Sequence, residues 1–399
     1  MARGPARAYF GTPWGQEGRT LTAPKLPYRH ANCHYTGAPQ SSSDAEVLSS
    51  PPATKMSPFR PLLLNALLLP CLGIIASCGP NADVVIYCAL DQVHAEPLIE
   101  RFEKETGLVV RAEFDIEANK TIGLVNRLRA ESKATRCDVF WNNEIGHTVA
   151  LAEEGVLASY DSPSAQDIPA IFRDEQFRWT GFAARARVFI VNTDLVSPED
   201  LANINGMWDL FNPKWAGKVG MARPLTGTTL THMTALYSVL GEGKAREYMA
   251  MAKRLNEEGK LALTSGNATL MKQVKVGELA FGWTDTDDYN VARESGAPVI
   301  CVYPDQEEGG IGTLLIPNSV AMLNNAPNKD AAKKLIDFIL REETERTLAY
   351  ARSAQIPVRK GVERPGHVRG DFAPMTVDFR IVGSDLPTRQ EELKELFID

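Results

Sequence analysis

Along this chain, short unbroken apolar runs alternate with longer stretches in which apolar residues recur every three or four positions. Residues 83–88 form such a run, of the length and continuity expected of a strand buried on both faces. Residues 94–106 place Ala95, Leu98, Ile99 and Phe102 on one helical face and stop at Gly107, which suits a left-handed C-terminal position. The theme repeats with a strand over 108–114 and a helix over 119–130, carried by Ile122, Val125 and Leu128. A strand over 138–141 and a helix over 145–154, stopped by Gly155, complete it. Strands and helices alternating through short links predict an α/β fold with a parallel, doubly wound sheet.

The second half continues the pattern. Strands are expected over 185–192, 218–222, 278–283, 297–303 and 313–316. Helices are expected over 228–241, 242–258 and 269–277, with one long amphipathic helix over 331–352 facing the core through Leu335, Ile336, Phe338 and Ile339. Two α/β lobes follow, one of residues 82–183 plus 314–399 and the other of 184–313. The chain crosses between them twice, and a ligand cleft would lie between them.

One apolar run does not fit a globular core. Residues 62–75 follow Arg60 and are broken by Pro70 and Gly73. About 14 residues fall short of the roughly 20 that span a bilayer. Basic residue, apolar run and Ile75-Ala76-Ser77-Cys78 make the layout of a secretory signal, and the ending resembles a bacterial lipobox. This reading makes 56–77 a lipoprotein signal, Cys78 the lipidated residue and Met56 the translation start. Residues 1–55, rich in Pro, Gly, Ser and Ala, are then a disordered or mis-assigned extension. The domain beyond Cys78 is exported and held on a membrane surface, facing the periplasm or the cell exterior.

Charge and cysteine use narrow the class. Seven Lys/Arg and three acids lie in residues 1–78, so 79–399 carries 36 basic and 47 acidic side chains, a net charge of −11. That balance, with no basic run, argues against nucleic acid. Cys88, Cys137 and Cys301 match neither a zinc spacing nor a disulfide framework and read as small buried residues. No GxSxG, HExxH or Gly-rich phosphate loop is present, so nothing calls for an enzyme.

Five segments, IYCALDQVHAEPLIERFEKETG, CDVFWNNE, ARARVFIVN, FNPKWAGKVGMARP and GTLLIPNSVAM, together resemble family 1 extracellular solute-binding proteins of bacterial ABC importers, on the ferric-ion-binding branch. The resemblance covers nearly all of 82–399. It implies a type II clamshell of two lobes that closes on a small ligand and delivers it to an ABC permease and its ATPase. It also implies a monomer without a cofactor, whose cargo would be ferric iron with a synergistic anion. Relatives on that branch take phosphonates or phosphorylated small molecules, which keeps that alternative open. A secreted enzyme on the same fold is a third reading.

In an open α/β sheet, ligands sit beyond the C-terminal ends of the strands. That rule nominates Asp91 and Gln92 after the first strand, Glu117 and Asn119 after the second, and Asn142, Asn143 and Glu144 after the third. In the second lobe, Thr228 and Thr229 open one helix and Gly266 and Asn267 another, where free N–H groups favour an anion. The segment TDTDDYN follows a strand and brings Asp285, Asp287 and Tyr289 toward the cleft. Arg185 and Arg187 alternate on the crossing strand, and Arg185 could clamp an anion. Ferric-binding relatives use adjacent tyrosines and a histidine. Here only Tyr289 stands in the loop, and Asp91 stands where the histidine would lie. An iron site would then be built from Glu144, Asp285, Asp287 and Tyr289, as hard cations take oxygen ligands.

Overall fold

The computed structural model describes residues 82–115 and 122–398. In chain order the first elements are β1 (Val84–Cys88), α1 (Gln92–Thr106), β2 (Val110–Phe114), α2 (Ile122–Glu131), β3 (Val139–Asn142), α3 (Gly146–Glu153) and β4 (Leu157–Ala158). The long strand β5 (Thr180–Asn192) follows, then α4 (Pro198–Leu201), β6 (Val219–Ala222), α5 (Gly227–Leu240) and α6 (Glu242–Glu257). Next come β7 (Ala262–Thr264), α7 (Asn267–Lys275), β8 (Phe281–Asp285), α8 (Thr286–Glu294) and β9 (Val299–Val302). The chain returns through β10 (Leu315–Leu323), α9 (Lys329–Ile339), α10 (Glu342–Tyr350) and α11 (Phe379–Phe397).

The main strand order is β2-β1-β3-β10-β5-β8-β6-β7. Strand β1 pairs in parallel with β2 and β3, and β6 pairs in parallel with β7 and β8, as strand–helix alternation predicts. The junction departs from that expectation, since β10 runs antiparallel to β3 and β5, and β5 runs antiparallel to β8 and β9. Strand β5 joins two halves: its first part, to Ala186, pairs with β10, and its remainder, from Arg187, pairs with β8 and β9. All thirteen of its residues are buried.

Three further differences have local causes. The helix expected over 331–352 is two helices, broken at Leu340 and Arg341, because the acidic Glu342, Glu343 and Glu345 favour a new helix N-terminus. The TDTDDYN segment is not a loop but the end of β8 and the first turn of α8, where acidic side chains suit the helix dipole. Helix α11, not foreseen, carries Gly383 and Pro387 in its interior.

Helix α7 packs tightly on the sheet through two glycines. A Cβ on Gly282 of β8 would lie 2.2 Å from the Gly220 carbonyl oxygen on β6 and 2.9 Å from Leu270 of α7. Cys88 and Cys137 are buried, Cys301 is half-buried, and all three are unpaired. Among the described residues, no helix is long and apolar enough to cross a membrane. Cys78 and Glu117 lie outside the described residues.

Candidate functional site

A cavity of about 620 Å³ opens where the C-terminal ends of the parallel strands from both halves meet. Leu90, Asp91 and His94 border it after β1, and Asn143 after β3. Arg223 and Thr226 to Thr229 border it after β6, Ser265 to Thr269 after β7, and Asp285, Asp287 and Asp288 at the end of β8. Arg185 reaches it from β5.

The lining combines two chemistries. Helices α5 and α7 begin at Thr226 and Gly266, and neither cap residue supplies a side-chain hydrogen bond to its helix. Their first-turn N–H groups therefore keep their affinity for an anion. Gly227 holds φ +57° at the start of α5 with open space around its Cα, a conformation that costs glycine little. Against these helix starts, where Asp285 meets Thr228 and Asn267, one carboxylate oxygen from each of Asp285, Asp287 and Asp288 lies within 4.8 Å of the others, an arrangement that could hold a metal ion.

The three acids have different surroundings. Asp285 is 3% exposed. Its Oδ1 accepts from Arg187 Nη1 at 2.7 Å, and its Oδ2 from Thr228 Oγ1 at 2.6 Å and Asn267 Nδ2 at 3.0 Å. Burial pushes this carboxyl up, but the Arg187 and Arg185 charges and the donated bonds hold it below its ordinary value. Asp287 accepts from Arg185 Nη1 at 3.2 Å and from the Asp288 backbone N–H at 3.0 Å. Burial and the neighbouring Asp285 charge raise it in spite of Arg185. Asp288 accepts from Thr284 Oγ1 at 2.9 Å, and burial with the charges of Asp287 and Asp285 pushes it well up. Carboxyls held up by one another are stabilised in their charged form by a cation.

Arg185 and Arg187 lie on one face of β5, as their alternation predicts, and each faces one acid. Arg187 is fully buried beside Trp283. Arg185 also donates to the Asn143 carbonyl, and its buried Nε has no partner. His94, in the first turn of α1, also borders the cavity. Burial lowers its affinity for a proton, opposed by Asp91 and Asp287.

The structure thus gathers Asp91, Asn143, Arg185, Thr228, Thr229, Gly266, Asn267, Asp285 and Asp287 around one cavity, with Asp288, Arg223 and His94 added. Gln92 lies outside it, exposed and donating to Glu96. Asn142 is buried and donates to Glu144 and Thr148. Glu144 is fully buried and accepts from the Gly146 N–H at 2.7 Å and Thr231 Oγ1 at 2.6 Å, with His147 Nδ1 at 2.7 Å. Tyr289, one step beyond Asp288 on α8, borders a separate small pocket with Tyr303, His367 and Arg369. Of the iron set expected from the sequence, only Asp285 and Asp287 come together.

Residues 97–373 match the family model described as bacterial extracellular solute-binding protein. The chain belongs to that family. The solute-binding protein is 24% identical over 297 residues to the major ferric iron-binding protein of Neisseria meningitidis serogroup A, covering 73% of this chain and 85% of the relative. It is 26% identical over 309 residues to a putative 2-aminoethylphosphonate-binding periplasmic protein of Salmonella typhimurium, covering 75% and 86%. Among solved structures, the ferric binding protein from Campylobacter jejuni superposes with a TM-score of 0.69 at 23% identity, covering 78% of this chain and 99% of that one. That likeness gives the fold: a type II clamshell of two lobes, joined here through β5 and β10. As a member of an extracellular solute-binding family, the protein works outside the cytoplasm and binds its solute without transforming it.

Proposed function

We propose that this protein captures ferric iron and passes it to the permease and ATPase of an ABC importer. One observation carries the reading: a group of carboxylates around Asp287 and Asp288 borders the same cavity as two uncapped helix N-termini. Hard cations favour carboxylate oxygen, and ferric-binding proteins stand among the relatives. The anion accompanying the iron would lie on Thr228, Thr229, Gly266 and Asn267, with Arg185 and Asn143 beside it and Asp91 at the mouth. Lobe 1 is residues 82–183 plus 314–399 and lobe 2 residues 184–313; the change of partner along β5 supports that division. The protein is a monomer, exported by the signal at 56–77 and anchored by lipid on Cys78.

A second reading rests on the helix starts. Two helix N-termini with Arg223 beside them suit a phosphonate or phosphate group, and the acids would then meet an amine. Thermal unfolding of ligand-stripped protein separates the two. Iron supplied as its nitrilotriacetate complex, with phosphate or carbonate, is expected to raise the melting temperature. At 100 times Kd the added stability is about 2.7 kcal/mol. A rise with 2-aminoethylphosphonate and none with iron would overturn the ferric reading.

A further inference from the structure

Asp285 sits among the acidic side chains but differs from its neighbours in how completely it is used. Both of its oxygens carry donors, from β5, α5 and α7. Its cationic partner Arg187 has no solvent exposure, so the pair is electrically neutral and sealed. Drawing Asp285 onto a metal would leave that guanidinium buried without its counter-charge.

The hydroxyl of Thr228 is the hub of this arrangement. It donates to Asp285 Oδ2 and accepts from Asn267 Nδ2 at 2.9 Å, so the first turns of α5 and α7 meet on a single carboxylate oxygen. Thr229 Oγ1 closes the ring by donating to Asn267 Oδ1 at 3.1 Å. One turn along α5, Thr231 donates to the buried Glu144. The helix is therefore held at two successive turns by buried carboxylates from opposite halves of the sheet. Asp285 and Asp287 both border the cavity, but the Asp285 side chain is 5% exposed and that of Asp287 23%.

We propose that Asp285 is a positioning residue, which fixes the spacing of the α5 and α7 N-termini without touching the cargo, while the cation is held by Asp287 and Asp288. The proposal deepens the ferric reading and rests on it. The test uses the wild type, Asp285→Asn, Thr228→Val, their double variant and Asp287→Asn. Three quantities are measured: the melting temperature without iron, iron affinity by competition with nitrilotriacetate, and the electron paramagnetic resonance spectrum of the loaded protein. Thr228→Val removes one buried hydrogen bond and is expected to weaken iron by about tenfold, and Asp285→Asn, which also removes the counter-charge of Arg187, by at least as much. The double variant should lose no more than Asp285→Asn alone, and the loaded spectra should keep the wild-type line shape. Asp287→Asn should fail to load.

A line shape altered in Asp285→Asn but not in Thr228→Val would make Asp285 a ligand and overturn the proposal. So would unchanged affinity in both singles alongside a lowered melting temperature, which would reduce the ring to support of the fold. If Asp285→Asn does not fold, Asn267→Ala interrupts the same ring and carries the comparison with Thr228→Val. A wild type that takes no iron defeats the ferric reading instead. The same variants are then titrated with 2-aminoethylphosphonate, where a double variant that loses no more than Asp285→Asn supports the positioning role and additive losses refute it.

Discussion

Glu144 shows how one side chain can look like a ligand in the sequence and serve another purpose in the fold. It follows a buried strand and two amides, as a cleft residue would. Its carboxylate is nevertheless turned inward, onto the start of its own helix and onto Thr231. Burial pushes it up, but the His147 charge and the donated bonds bring it from 4.5 down to about 2. The folded protein therefore takes up this proton less readily than the unfolded chain. The stability it contributes is complete above about pH 4.5 and is lost as pH falls toward 2. A shift of that size corresponds to about 3 kcal/mol. Glu144→Gln is expected to flatten the acid limb of stability against pH, measured by urea unfolding. A limb as steep as that of the wild type would refute it. Arg187→Ala strands Asp285 in the interior and is expected to cost about 3–5 kcal/mol, read from the shift in urea midpoint.

At the scale of elements, the site depends on how closely α7 can approach the sheet. Gly220 and Gly282 face one another on β6 and β8 with Leu270 of α7 against both. Gly282→Ala is expected to cost about 1–3 kcal/mol by overpacking. It should also weaken cargo binding, because the N-terminus of α7 moves with Leu270. Calorimetry together with a cargo titration would show both effects, and a stability loss without an affinity loss would separate α7 from the site. The parallel parts of the sheet were legible because 83–88 and 138–141 are unbroken apolar runs. Helix α8 was not, since Asp287, Asp288 and Asn290 are weak helix formers that only a dipole-favoured first turn accommodates. Tyr289 was misplaced for the same reason: a loop would leave it free to face the cleft, while the helix turns it toward Tyr303. Helix α11 escaped notice because Gly383 and Pro387 read as breaks. Yet Gly383 lets the helix lie against Val149 of α3, where a Cβ would come within 2.2 Å.

Across the whole molecule, α11 reaches both halves. It packs on α3 and on α5, Arg389 pairs with Glu242, and Glu392 pairs with Arg246 at 2.7 Å. Glu392 also accepts from Arg389 at 2.9 Å and from the Tyr237 hydroxyl at 3.1 Å, so Glu392→Gln is expected to cost about 1–2 kcal/mol, measured by chemical unfolding. Removing the helix would instead uncover the apolar faces it shares with both partners. The proposed lipid anchor on Cys78 is a separate property. Cys78→Ala is expected to move the exported protein from the membrane fraction to the soluble one, with cargo affinity of the purified protein unchanged, since the cavity is built from Leu90 onward. Cell fractionation checks this.

Cys88 lies two residues before Leu90 at the edge of the cavity, buried, with its sulfur directed to the Leu90 carbonyl at 3.7 Å. Burial holds that thiol protonated far above its ordinary range, and it does the same for Cys137 and Cys301. Electron transfer from sulfur to an oxidising metal runs through an accessible thiolate. Among the described residues, no cysteine presents an accessible thiolate to the cavity. Ferric cargo held there would reach the importer in the valence in which it was captured, as far as these thiols are concerned.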